Sequence, residues 1–106
     1  MYIAWTTVAN STDAEALATV IIDRGLAVCV QIDGPITSRY RWNGQTERAE
    51  EHRLSMKCTV GQLDQLEREV LARHPYETPE WIVVRAERVG EKYLSWAMTN
   101  STTPPL

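Results

Sequence analysis

Asn43-Gly44 is the feature that most constrains this chain. Both central residues of a type I′ turn need positive φ, and Asn-Gly supplies them, so two strands must meet there as a tight hairpin. The strand-like runs on either side are long. They reach back to Gly25 and forward to Cys58, roughly fifteen residues each, whereas strands commonly stop at about 5–6 residues. At ~3.3 Å per residue such arms extend ~50 Å, more than the remaining chain is able to cover.

The other segments follow from pattern. Residues 2–9 are rich in β-formers, with Ile3, Trp5 and Thr7 on one face and Tyr2, Ala4, Thr6 and Val8 on the other, as in a central strand. A helix is expected to about Arg24 from Ala14, Leu17, Ala18, Ile21 and Ile22, with Thr12 and Glu15 as a capping box and Gly25 as its C-terminal stop. Leu26 to Asp33 begins the first hairpin arm. Pro35 cannot donate to a strand ladder, so Gly34-Pro35 predicts a bulge or an edge. On the return arm Leu54, Met56 and Cys58 share one face, and Arg53, Ser55 and Lys57 the other.

Thr59 and Gln62 repeat the capping pattern ahead of Leu63, Leu66, Val70 and Leu71, a second helix that must end near His74 because Pro75 follows. Trp81 to Ala86 reads as a fourth strand, Lys92 to Met98 as a short last helix, and Asn100 to Leu106 as a frayed tail. The order β-α-β-β-α-β predicts an α+β, ferredoxin-like sandwich, one domain over residues 1–106, with a long protruding hairpin and a short C-terminal helix. Helices of this length span only about 20 Å, so Tyr40, Trp42 and His52 fall on the overhanging part. Pairing with further copies of the same chain would bury those aromatics, which makes these three the expected oligomer contacts.

Composition removes several function classes. A net charge of −3 with scattered basic residues gives no footprint for nucleic acid. There is no 18-residue apolar run for a membrane span, and Met1 to Trp5 lacks the basic start of a signal peptide, so a cytoplasmic location is expected. Cys29 and Cys58, without CxxC spacing, are expected as reduced thiols rather than a disulfide or a zinc site. No G-x-S-x-G, P-loop or G-x-G-x-x-G is present, so an enzyme is not expected.

Chemistry concentrates in His74-Pro75-Tyr76-Glu77-Thr78-Pro79-Glu80, an imidazole, a phenol and two carboxylates stiffened by two prolines. His74 with Glu77 suits a metal or acid–base work; equally, His74 suits the negative end of the second helix and the prolines shape a turn. Cys29 is either a small core residue or a soft ligand for a copper-like ion.

The order of these motifs resembles the CutA (CutA1) divalent-cation tolerance proteins. The resemblance rests on Gly25-Leu26-Ala27-Val28-Cys29-Val30, Thr37-Ser38-Arg39-Tyr40-Arg41-Trp42-Asn43-Gly44-Gln45, acidic Glu47 to Glu51, Lys57-Cys58-Thr59, His74 to Glu80, and Tyr93-Leu94-Ser95-Trp96. Gln31, Asp33 to Ile36, Cys58 and the end of the first strand depart from the family pattern. The resemblance implies a tight homotrimer similar to the PII signalling proteins and a part in tolerance of, or response to, copper and other divalent cations. It strengthens Cys29, His74 and Glu77 as ligands for weakly bound Cu2+ or another divalent metal ion. A second reading is a PII-like regulatory module that takes a small anion, a metabolite or a partner protein in clefts between subunits, lined by Arg39, Tyr40, Arg41 and Lys57.

Overall fold

A computed structural model describes residues 1–101. The elements run β1 (Tyr2–Val8), α1 (Ser11–Asp23), β2 (Cys29–Trp42), β3 (Gln45–Cys58), α2 (Leu63–Arg73), β4 (Ile82–Arg85) and α3 (Glu91–Thr99). The expected ferredoxin-like order is observed. The sheet is antiparallel in the order β2-β3-β1-β4, so β1 is indeed an inner strand. The expected frayed tail falls outside the described residues from position 102 on; Asn100 itself donates its backbone N–H to Trp96 and Ala97 carbonyls and closes α3.

The turn forms as its residues dictate, with φ of 50° at Asn43 and 76° at Gly44. Trp42 pairs with Gln45, and the register continues unbroken to Ile36 opposite Glu51. A bulge then separates Ile36 from Asp33, at the Gly34-Pro35 step. Gly34 is required there by close approach: a Cβ would lie 2.2 Å from Cδ2 of His52. With 14 residues in each arm, the hairpin sets the long dimension of the molecule, 45 Å.

One face of the sheet makes the core. Ala4, Val8, Leu54, Met56 and Cys58 are fully buried there beneath Ala14, Leu17 and Ile21 of α1 and Leu66 and Val70 of α2. Two expected core residues are corrected: Ile22 and Leu71 lie at the margins of their helical stripes and are exposed. The α1 cap also differs from expectation. Asn10, not Thr12, is the N-cap, its side chain accepting the Asp13 N–H at 2.8 Å, because helical geometry already begins at Ser11. At the other end Gly25 takes φ 64° and Leu26 N–H bonds the Ile21 carbonyl, a Schellman closure that drives Leu26 into the core.

The second capping pattern is half realised. The Gln62 amide oxygen accepts the Thr59 N–H at 3.0 Å, and its amide nitrogen donates to the Gly25 carbonyl at 2.9 Å. One buried side chain therefore ties the end of β3 and the start of α2 to the loop after α1.

Candidate functional site

Strand alternation decides which of the candidate residues meet. Cys29 is opposite Lys57, which is opposite Ile3, which is opposite Val84; these four share the face turned away from α1 and α2. Trp5 and Ser55 lie on the same face, joined by a 2.9 Å hydrogen bond from the indole. Lys57 extends its ammonium over the Tyr93 ring of α3, 5.7 Å from the centroid.

His74 is on the other side of the sheet. It follows the last residue of α2, and its ψ of 132° is the extended backbone that Pro75 imposes. The Tyr76 N–H donates to Nδ1 at 3.1 Å. The proton is thereby placed on Nε2, which faces the Thr7 carbonyl at 2.9 Å and Thr6 Oγ1 at 3.0 Å. Thr6 in turn donates to the Glu80 carbonyl at 2.7 Å. Burial lowers the pKa of His74, against smaller raising effects from the Thr7 carbonyl and the nearby Glu51 charge. The neutral ring thus works as a clamp that fixes the α2–β4 loop to β1.

This clamp aims Tyr76. Its ring packs 4.9 Å from the His74 ring, and its hydroxyl donates to Glu51 on β3 at 3.0 Å. Burial first, and then the Glu51 carboxylate, push the phenol up to about 12, so it stays a donor at neutral pH. Tyr76, Glu77 and Thr78 then face Tyr40, Trp42 and Glu47 of the outer hairpin across a cleft of about 420 Å³.

The structure therefore brings Glu77 together with Tyr40 and Trp42, and leaves Cys29 and His74 on opposite faces of the sheet. A metal centre within one chain does not fit this arrangement. Both ring nitrogens of His74 are engaged, and among the described residues no three His, Cys, Asp or Glu side chains are grouped to hold an ion. The four residues expected to line a cleft between subunits do not converge within one chain. Arg39 and Arg41 alternate away from Tyr40 along β2, while Lys57 is at the far end of β3. His52 packs over Gly34 at the bulge.

Cys58 is buried in the core, and burial pushes its thiol up to about 11, so it is an inert packing group at neutral pH. Two contributors were missed in the sequence. Glu47 was legible, since the two-residue turn fixes Tyr40 opposite it; Thr6 was not, because nothing local marks its partners at positions 74 and 80.

Comparison with known proteins accords with this architecture. The family model described as "CutA1 divalent ion tolerance protein" matches residues 2–100. The divalent-cation tolerance protein CutA of Thermus thermophilus is 33% identical over 95 residues, covering 90% of this chain and 92% of its own. The chloroplastic CutA protein of Arabidopsis thaliana is 35% identical over 94% of this chain, which spans only 54% of that longer protein. Among solved structures, CutA from Synechococcus elongatus superposes with a TM-score of 0.90 at 37% identity, covering 95% of this chain and 89% of that one. The Thermus thermophilus structure gives 0.89 at 31% identity, covering 96% and 100%. With the motifs, the fold and the family match all in agreement over nearly its whole length, the chain belongs to the CutA1 divalent-cation tolerance family.

Proposed function

We propose that this chain works as a cytoplasmic homotrimer in divalent-cation tolerance, binding copper-like ions weakly and catalysing no reaction. The observation that carries the proposal is the uncovered face of the sheet. Ile82 is 50% and Val84 40% exposed there, and Trp96 of α3 is 46% exposed, although α1 and α2 bury Ala4, Leu54, Met56 and Cys58 on the opposite face. Apolar surface of this kind marks an interaction site. The outer hairpin adds Tyr40 and Trp42, and second and third copies of the chain would cover both regions at once. The number three comes from the family resemblance.

Because Cys29 lies on that uncovered face, cation binding is assigned to donors supplied by more than one copy, with Cys29 as the soft ligand and Glu77 as a hard one. His74 in this reading holds the loop that carries Glu77, and reaches an ion only by giving up one of its present hydrogen bonds. Light scattering at micromolar concentration is expected to give the mass of a trimer; a stable monomer overturns the assembly. Copper titration is expected to weaken in Cys29→Ser and further in Cys29→Ser with His74→Ala. Equal binding by wild type and the double variant removes the ligand assignment while leaving the trimer intact.

A further inference from the structure

The cleft between the outer hairpin and the α2–β4 loop offers a chemistry beyond metal binding, since of its lining residues only Glu77 is among the proposed ligands. Tyr40, Trp42 and Glu47 project from one face of the hairpin, and Tyr76, Glu77 and Thr78 close the other side. Three aromatic rings and two carboxylates therefore line it, with Glu51 directly behind the Tyr76 hydroxyl. Among the described residues no Lys or Arg lines it. The hairpin's own arginines, Arg39, Arg41 and Arg48, occupy the opposite face by strand alternation. None of Glu47, Glu51 and Glu77 forms an ion pair among the described residues.

We infer that this cleft is a binding site for an organic cation, an alkylammonium or guanidinium group held against Tyr40, Trp42 and Tyr76 and neutralised by Glu47 and Glu77. Aromatic faces attract such cations through the ring quadrupole, and Trp does so best. A hard inorganic cation instead needs several oxygen donors at ~2.0–2.6 Å, and these carboxylates are not grouped to supply them. The volume of about 420 Å³ falls in the range of ~300–1,000 Å³ that takes small molecules. The wall is also set in advance. Tyr76 is held at its amide by His74 and at its hydroxyl by Glu51, so little ordering remains to oppose binding.

A guanidinium reaches this cleft either as a free small molecule or as an arginine side chain of a neighbouring copy. The test separates the two. Wild-type protein in physiological salt is titrated calorimetrically with methylguanidinium and tetramethylammonium, with sodium and acetate as controls. Saturable binding of an organic cation, weakened about tenfold or more in Trp42→Ala and in Glu47→Gln with Glu77→Gln, establishes a free-ligand site. The second source is supported if probe enters only as copies separate: the double Gln variant has a lower assembly mass, and millimolar methylguanidinium lowers the wild-type mass in the same way. No saturable binding together with unchanged mass overturns the inference, as does binding that the variants leave intact. All the lining groups come from one chain, so a monomeric protein or an absent copper site does not decide the result.

Discussion

The two halves of the long hairpin share one ladder and live in different surroundings. At the root, Val30 and Ile32 on β2 and Leu54, Met56 and Cys58 on β3 turn inward beneath two helices. Beyond the Gly34-Pro35 bulge the pairing continues from Ile36–Glu51 to Trp42–Gln45 with nothing of the same chain packed on most of it. Tyr40 and Trp42 are about half exposed, at 45% and 51%. Strand pairing thus runs on both sides of the bulge to the tip, whereas apolar burial stops partway. The lesson is that the ladder alone does not explain why the outer half exists. A solitary two-stranded ribbon is marginal in water, so the root anchors it and its side chains serve contacts outside the core.

Core substitution breaks this comparison most strongly. Leu54 is fully buried opposite Thr6, and Leu54→Ala is expected to lose about 2–5 kcal/mol of unfolding free energy. Trp42→Ala, at the outer end, is expected to change the stability of an isolated chain by no more than about 0.5 kcal/mol. Its effect should surface as a lower denaturation midpoint at concentrations where copies associate, as for any residue that joins copies. Equal losses from the two variants at low concentration would mean that the outer half contributes to intrachain stability as the root does.

The junction between the halves gives the next effect. Gly34→Ala places a methyl against the His52 ring, where the free space is 2.2 Å, and overpacking of this kind costs about 1–3 kcal/mol. Removing the ring should return most of that loss, so Gly34→Ala with His52→Ala is expected to be markedly non-additive in urea denaturation. Additive losses would show that the bulge, and not the ring, dictates glycine.

A pH titration tests the clamp that ties the α2–β4 loop to the inner strand. Burial holds the folded-state pKa of His74 below its ordinary value of 6.5. The unfolded chain therefore binds a proton first as pH falls, and unfolding gains from it. The stabilisation is fully present above about 6.5 and is lost as pH drops through the lower folded value. A second proton would also sit on Nδ1, facing the Tyr76 N–H that now donates to it. His74→Gln, which keeps an acceptor and a donor, is expected to flatten the dependence of melting temperature on pH below about 6.5. An unchanged slope would place the sensitivity elsewhere.

How much of this was legible varies with the distance over which each signal acts. Asn43-Gly44 and Gly34-Pro35 are local rules, and turn, bulge and register followed from them. The α1 cap was displaced by two residues because Asn10, Ser11, Thr12 and Asp13 are all competent caps, and only helix geometry chooses among them. The HPYETPE segment stood out by composition, but its role depends on Thr6 and Glu51, many residues away. No spacing rule reports such contacts. For the same reason the sequence leaves open whether Cys29 and His74 meet. Within one chain Cys29 is on the face turned away from the helices, while His74 bonds Thr6 on the helix-covered face.

The smallest expected effect is the one that most sharpens the contrast between root and tip. Arg39 stands directly opposite Arg48, and neither has a carboxylate partner among the described residues; the only side-chain bond there is Arg48 to Thr37 Oγ1 at 3.4 Å. Like charges facing one another across a ladder are unfavourable, and opposite charges contribute roughly 0.2–1 kcal/mol. If the outer half faces only water, Arg48→Glu should raise the melting temperature slightly, and the gain should fade as salt screens the pair. If that face meets another copy, the arginines already have partners that the single chain does not contain. Arg48→Glu would then lower both the melting temperature and the assembly mass, and the arginine pair would be a contact retained at the expense of ladder stability. The sign of this small change therefore tells whether the tip of the hairpin is a solvated extension or an interface.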